Sequence, residues 1–96
     1  MHSALFVAQV WGKDPIKWGE FLMKAKVGLR KHPGVLRLAE NVWLMNFQES
    51  PVSLSWFVCA ADIHGIPYGI LPFERAPEWL PVGFDPKTIS DHNGET

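Results

Sequence analysis

Leu5-Phe6-Val7-Ala8-Gln9-Val10-Trp11 and Val42-Trp43-Leu44-Met45-Asn46-Phe47 decide how this chain folds. Both are short runs rich in β-branched and aromatic residues, the composition of a strand. Neither alternates apolar with polar, as a sheet with one face in water requires. Such strands need cover on both faces. Helices can cover one face, and the other is then expected to expose Trp, Phe and Leu side chains over more area than a monomer tolerates. A back-to-back homodimer with an isologous sheet-to-sheet contact is the simplest expectation.

Working outward, the first strand is read over Ala4 to Trp11, and Gly12 and Lys13 turn the chain. Asp14-Pro15 predicts a helix start, with a capping carboxylate followed by proline at the first helical position, where no N–H is needed. The helix runs to Lys31, with Trp18, Phe21, Leu22, Ala25, Gly28 and Leu29 as its buried stripe. Lys17, Lys24 and Lys31 share another face, and Glu20 stands four residues before Lys24. His32-Pro33-Gly34 ends the helix, because the residue before proline is pushed out of the helical region.

Val35 to Ala39 and Val42 to Phe47 predict a hairpin around Glu40-Asn41. Residues 52–61 carry two patterns. Ser50-Pro51 as a cap, the stripe Leu54, Phe57, Val58 and Ala61, and Gly65 as a stop favour a helix. Ser53-Leu54-Ser55-Trp56 also alternates like a strand, which would leave one helix on a four-stranded sheet. Ile66 to Phe73 is the last strand, with Pro67 and Pro72 placing it at an edge. With the helix, the order is the α+β, ferredoxin-like βαββαβ arrangement: a four-stranded antiparallel sheet with both helices on one face and the first and third strands central. Residues 1–84 form one domain that includes an extended aromatic arm over 74–84, and 85–96 read as a flexible tail.

The 47% apolar content suits a globular domain, but five Trp and six Phe are many for 96 residues. Rings of about 150–250 Å² each crowd a small core, so some are expected at an interface or pocket. The single cysteine, Cys59, rules out an internal disulfide framework and fits a reducing compartment. With no leader-like start and no apolar run of about 20 residues, the expected setting is soluble and cytoplasmic, without a membrane partner. Seven of nine basic residues lie between Lys13 and Arg37, while eight acids follow Leu38. A solvated lysine-rich helix is the plain reading of that asymmetry, and phosphate attraction the sharper one.

Sites for chemistry are few. There is no Gly-rich phosphate loop, zinc spacing or nucleophile elbow, so neither a metal nor a cofactor is expected. His64, beside Gly65 and followed by Tyr68, is the candidate for acid–base work. Glu40-Asn41 reads as a polar turn that could also meet a partner or cation. Cys59, with no basic neighbour in sequence, reads as a small core residue.

Arg37 to Phe47, the Ser50-Pro51 helix, Ile66-Pro67-Tyr68 and the approach His32-Pro33-Gly34-Val35 resemble the second half of the dimeric α+β-barrel proteins, among them muconolactone isomerase-like enzymes and small monooxygenases. That resemblance implies a dimer whose sheets face each other and a ligand pocket between sheet and helices. Val42-Trp43-Leu44 before a helix, with the closing Glu78-Trp79-Leu80, also resembles the small CRISPR-associated and toxin-type nucleases of the same fold. Those share a metal-holding aspartate at the end of the first strand. Here Val10-Trp11-Gly12 stands there and Asp14 is committed to capping, so the nuclease's metal site is not expected.

The reading that follows is a homodimeric ferredoxin-like binding or regulatory module without catalysis of its own. The alternative is an enzyme on a small apolar or aromatic molecule, in a pocket of Trp18, Trp56, Tyr68 and His64. A further alternative is nucleic-acid binding through Lys13, Lys17, Lys24, Lys26, Arg30 and Lys31, which predicts steep salt dependence.

Overall fold

A computed structural model describes residues 1–9 and 14–78. Its elements are β1 (Ser3–Ala8), α1 (Pro15–Lys31), β2 (Val35–Ala39), β3 (Val42–Asn46), α2 (Ser53–Ile63) and β4 (Tyr68–Phe73). The sheet has four strands in the order β2-β3-β1-β4, and every neighbouring pair is antiparallel. The architecture is α+β and compatible with a ferredoxin-like fold. Residues 52–61 are therefore resolved in favour of the helix, and β1 and β3 are the central strands, as the paired apolar runs require.

Local chemistry accounts for the boundaries. The Asp14 carboxylate accepts the Lys17 N–H at 3.0 Å, and Pro15 opens α1. At the other end, the His32 N–H still donates to the Gly28 carbonyl before Pro33 stops the helix. The start of α2 departs from expectation. Ser50 does not cap it: the N-cap is Val52, which makes no side-chain cap bond. Ser50 is buried instead, and its hydroxyl oxygen accepts the Gly34 N–H at 2.8 Å, tying the start of β2 to the approach of α2. Gly65 follows α2 with φ at +65°, the left-handed position that glycine takes without strain.

Side chains alternate across the central strands. Ala4, Phe6 and Ala8 of β1 and Trp43 and Met45 of β3 face the helices. All but Ala4 meet Trp18, Phe21 and Ala25 of α1 and Phe57, Ala60 and Ala61 of α2 in one buried cluster. The α2 stripe is thus turned from the predicted one, with Leu54 and Val58 only half-buried. The rings form a connected set. Phe6 stands 5.1 Å from Tyr68, 5.7 Å from Phe57 and 6.1 Å from Trp43, while Phe21 contacts Trp43 edge-on at 5.8 Å. Five of the described large rings are therefore core, and Trp56 lines a surface groove. In particular, Phe6 and Trp43 face the helices rather than the open side of the sheet.

The helix-free face is mainly aliphatic, with Phe73 on its β4 edge. The registers Leu36↔Leu44, Leu5↔Leu44 and Leu5↔Leu71 lay one leucine from every strand in a single row across the sheet. Val42 and Val7 pair in the next row. Leu5, Leu36 and Leu44 are half-buried, whereas Leu71 is 55% exposed. Pro77 and Glu78 reach this face and border a recess with Leu5, Leu38, Leu44 and Phe73. The remainder of the expected arm, including Trp79 and Phe84, lies outside the described residues, as does the Val10-Trp11-Gly12 stretch.

Candidate functional site

A concavity lies between the helices, on their solvent side. Val52, Trp56, Cys59 and Ile63 recur at three-four spacing along one flank of α2, and Lys24, Gly28 and Lys31 do so along the facing flank of α1. The helices approach closely at Gly28. A Cβ there would stand 2.7 Å from both Cδ1 and Nε1 of Trp56 and 3.0 Å from Phe57, so only glycine lets the indole lie down at this point. That closeness offsets the helix cost of an interior glycine, about 1 kcal/mol.

The Trp56 ring is fixed from several directions. Its indole N–H donates to the Lys24 carbonyl at 2.9 Å. The Lys31 ammonium stands 4.9 Å from the ring centroid, a cation–π distance, and the His32 ring centroid is 6.1 Å away. The resulting groove has a volume of about 420 Å³, and Ser55 and Ala60 complete its lining. Its α2 wall is apolar apart from Ser55, Lys24 and His32 line the α1 side, and Lys31 reaches the groove over the Trp56 ring. Val52 is 61% and Ile63 75% exposed, so large aliphatic side chains stand in solvent along the rim. Cys59 is also exposed here, which corrects its reading as a core residue. Nearby acid is directed elsewhere: Glu20 Oε2 lies 3.3 Å from His64 Nδ1 rather than at Lys24. Among the described residues, no carboxylate stands within ion-pair distance of Lys24 or Lys31.

The residues singled out from the sequence separate into groups. Trp56 and Lys24 come together in the groove, with Lys31 over the Trp56 ring. Lys17 sits in the first turn of α1, 4.0 Å from Asp14, and Arg30 is exposed without lining the groove. Trp18 is 8% exposed and packs in the core against Phe21 at 5.5 Å. His64 is held by Glu20 through Nδ1, while its Nε2 is buried. Tyr68 pairs instead with Asp62. Partial burial, then the Asp62 charge and its hydrogen bond, hold the phenol above its ordinary range. The groove is therefore lined by Trp56 without Trp18, His64 or Tyr68.

The hairpin tip is used internally: Asn41 Nδ2 donates to the Ala8 carbonyl at 2.9 Å, and its own carbonyl accepts the Ala8 N–H. Arg37 closes the same turn by donating to the Ala39 and Glu40 carbonyls. Among the described residues, no group of three or more His, Cys, Asp or Glu side chains is placed to hold a metal. No helix among them is long and apolar enough to cross a membrane. His32, Val52, Cys59 and Ile63 were not anticipated as site residues, although the three-four spacing of Val52, Trp56, Cys59 and Ile63 was there to be read. The chain matches no family model, no curated protein and no solved structure.

Proposed function

We propose that this protein is a small homodimeric binding or regulatory module without catalysis of its own. Two copies pair through their helix-free sheet faces, and the groove between α1 and α2 points outward to receive a ligand. The observation that carries this reading is the leucine row Leu36-Leu44-Leu5-Leu71, one residue from each strand. A flat aliphatic row on a twisted sheet suits a second sheet stacked about 10 Å away. Two-fold symmetry lets the same row serve as both halves of the contact.

Sedimentation velocity on the full chain at micromolar concentration tests it. The expected species is a dimer, and Leu44→Lys converts it to a monomer with an unchanged circular dichroism spectrum. Leu71→Lys, at an exposed position, serves should the first variant not fold. A wild-type monomer at tens of micromolar would overturn the pairing.

A further inference from the structure

We infer that the groove between α1 and α2 binds an amphipathic carboxylate: an apolar acyl or aryl body carrying one anionic head. The inference rests on the reading of the chain as a binding module and names the class of ligand. A volume of about 420 Å³ falls in the range of small-molecule sites. One long wall, formed by Val52, Trp56, Cys59 and Ile63, offers apolar contact. The other offers ammonium groups that no described carboxylate neutralises.

Charge also orients the ligand along the groove. Lys31 and His32 stand at the end of α1, over or beside the Trp56 ring, beside the first turn of α2. At the opposite end, next to Ile63, His64 holds Glu20. An anionic head is attracted to the Lys31–His32 end and repelled from the Glu20 end. The apolar body then runs along Trp56 and Cys59 toward Ile63, with Lys24 flanking it. A neutral ligand would gain nothing from the cationic wall, and a cationic one would be opposed by it. The indole N–H is already spent on the Lys24 carbonyl, so Trp56 offers the ligand ring surface rather than a donor.

Cys59 supplies the reporter, because it is the only cysteine in the chain and is exposed in the groove. The rate of its alkylation by N-ethylmaleimide, followed by intact mass, is measured with decanoate, naphthoate or decyltrimethylammonium at concentrations below micelle formation. At least one carboxylate is expected to slow alkylation by about fivefold at the concentration that fills about 80% of the sites, while the ammonium amphiphile leaves the rate unchanged. Lys31→Glu should raise the half-protecting concentration about tenfold, and Lys17→Glu, away from the groove, should leave it unchanged. Protection should also weaken with added salt. Because Lys31 is exposed, its substitution leaves the core untouched; Ile63→Asp, at 75% exposure, tests the apolar end in the same way.

The site is overturned if neither carboxylate protects Cys59. The charge assignment is overturned if the ammonium amphiphile protects equally or Lys31→Glu changes nothing. Sedimentation of the same samples separates the two proposals. A monomer whose Cys59 is protected refutes the dimer alone, and a dimer without protection refutes the carboxylate site alone.

Discussion

The two faces of the sheet are built from the same central strands yet differ in chemistry. Toward the helices, β1 and β3 present Phe6, Trp43 and Met45, with alanines where the helices come close. Away from them, the same strands present Leu5, Val7, Val42 and Leu44. Rings need partners of matching outline, and the inner face has them in Phe21 and Phe57. Aliphatic rows are flatter and repeat from strand to strand, so they accept another flat surface without a particular jigsaw fit. One face is thus completed by this chain's own helices, while the other is suited to a contact that forms and breaks.

The comparison is sharpest by substitution at neighbouring positions of β3. Trp43→Ala should destabilise the protein by about 3–5 kcal/mol, because the indole is fully buried and the surrounding rings cannot collapse into the space. Leu44→Ala, one residue on, should cost less, and its effect should grow with protein concentration as the proposed dimer is lost. Urea denaturation at two concentrations reads both. Equal, concentration-independent losses would erase the distinction between the faces.

Gly28→Ala probes how tightly the helix layer is closed. The added methyl meets the Trp56 indole at 2.7 Å, so the ring must leave the Lys24 carbonyl. A loss of about 1–3 kcal/mol is expected despite alanine's better helix propensity, together with a change in the tryptophan emission. A stabilised variant would mean that α1 and α2 slide apart freely.

The smallest effect is alkaline. Tyr68 sits at the margin of the ring cluster, and its phenol titrates above the unfolded value of about 10. Above that unfolded value the unfolded chain gives up a proton that the folded chain retains. Stability contributed by Tyr68 is therefore complete below about pH 10 and is lost as pH rises through the folded value. Tyr68→Phe should flatten this part of the stability profile, measured by thermal unfolding between neutral and alkaline pH.

Most of the fold was legible in the sequence because the decisive signals are local. Asp14-Pro15 and His32-Pro33 bound α1 whatever it packs against, and strands apolar on both faces must be central in this topology. Ser50 was misread because its side chain serves a residue distant in sequence, Gly34, rather than the next helical N–H. Cys59 was misread for a related reason. Its neighbours Phe57 and Ala60 are core, but the buried side of α2 is set by where α1 lies, and one residue of rotation, about 100°, carries Cys59 out to the groove. Of the candidate site, the Trp56–Lys24–Lys31 grouping was within reach of spacing. The approach of α1 to α2 at Gly28, which creates the groove, is a tertiary fact.

The Ser50–Gly34 bond has a consequence for how the molecule opens. It fastens the base of the β2–β3 hairpin where the Asn46 N–H also donates to the Gly34 carbonyl. The pairing of β2 with β3 within residues 34–50 thereby spans only short stretches of chain, and β3 is held on its other side by β1. The pairing of β1 with β4, by contrast, joins distant segments, and β4 is largely exposed. In native-state hydrogen exchange, the β4 amides bonded to β1 should open at a lower free energy than those inside the hairpin. β4 would then act as a detachable edge, and the hairpin fastened by Ser50 as the part that stays shut.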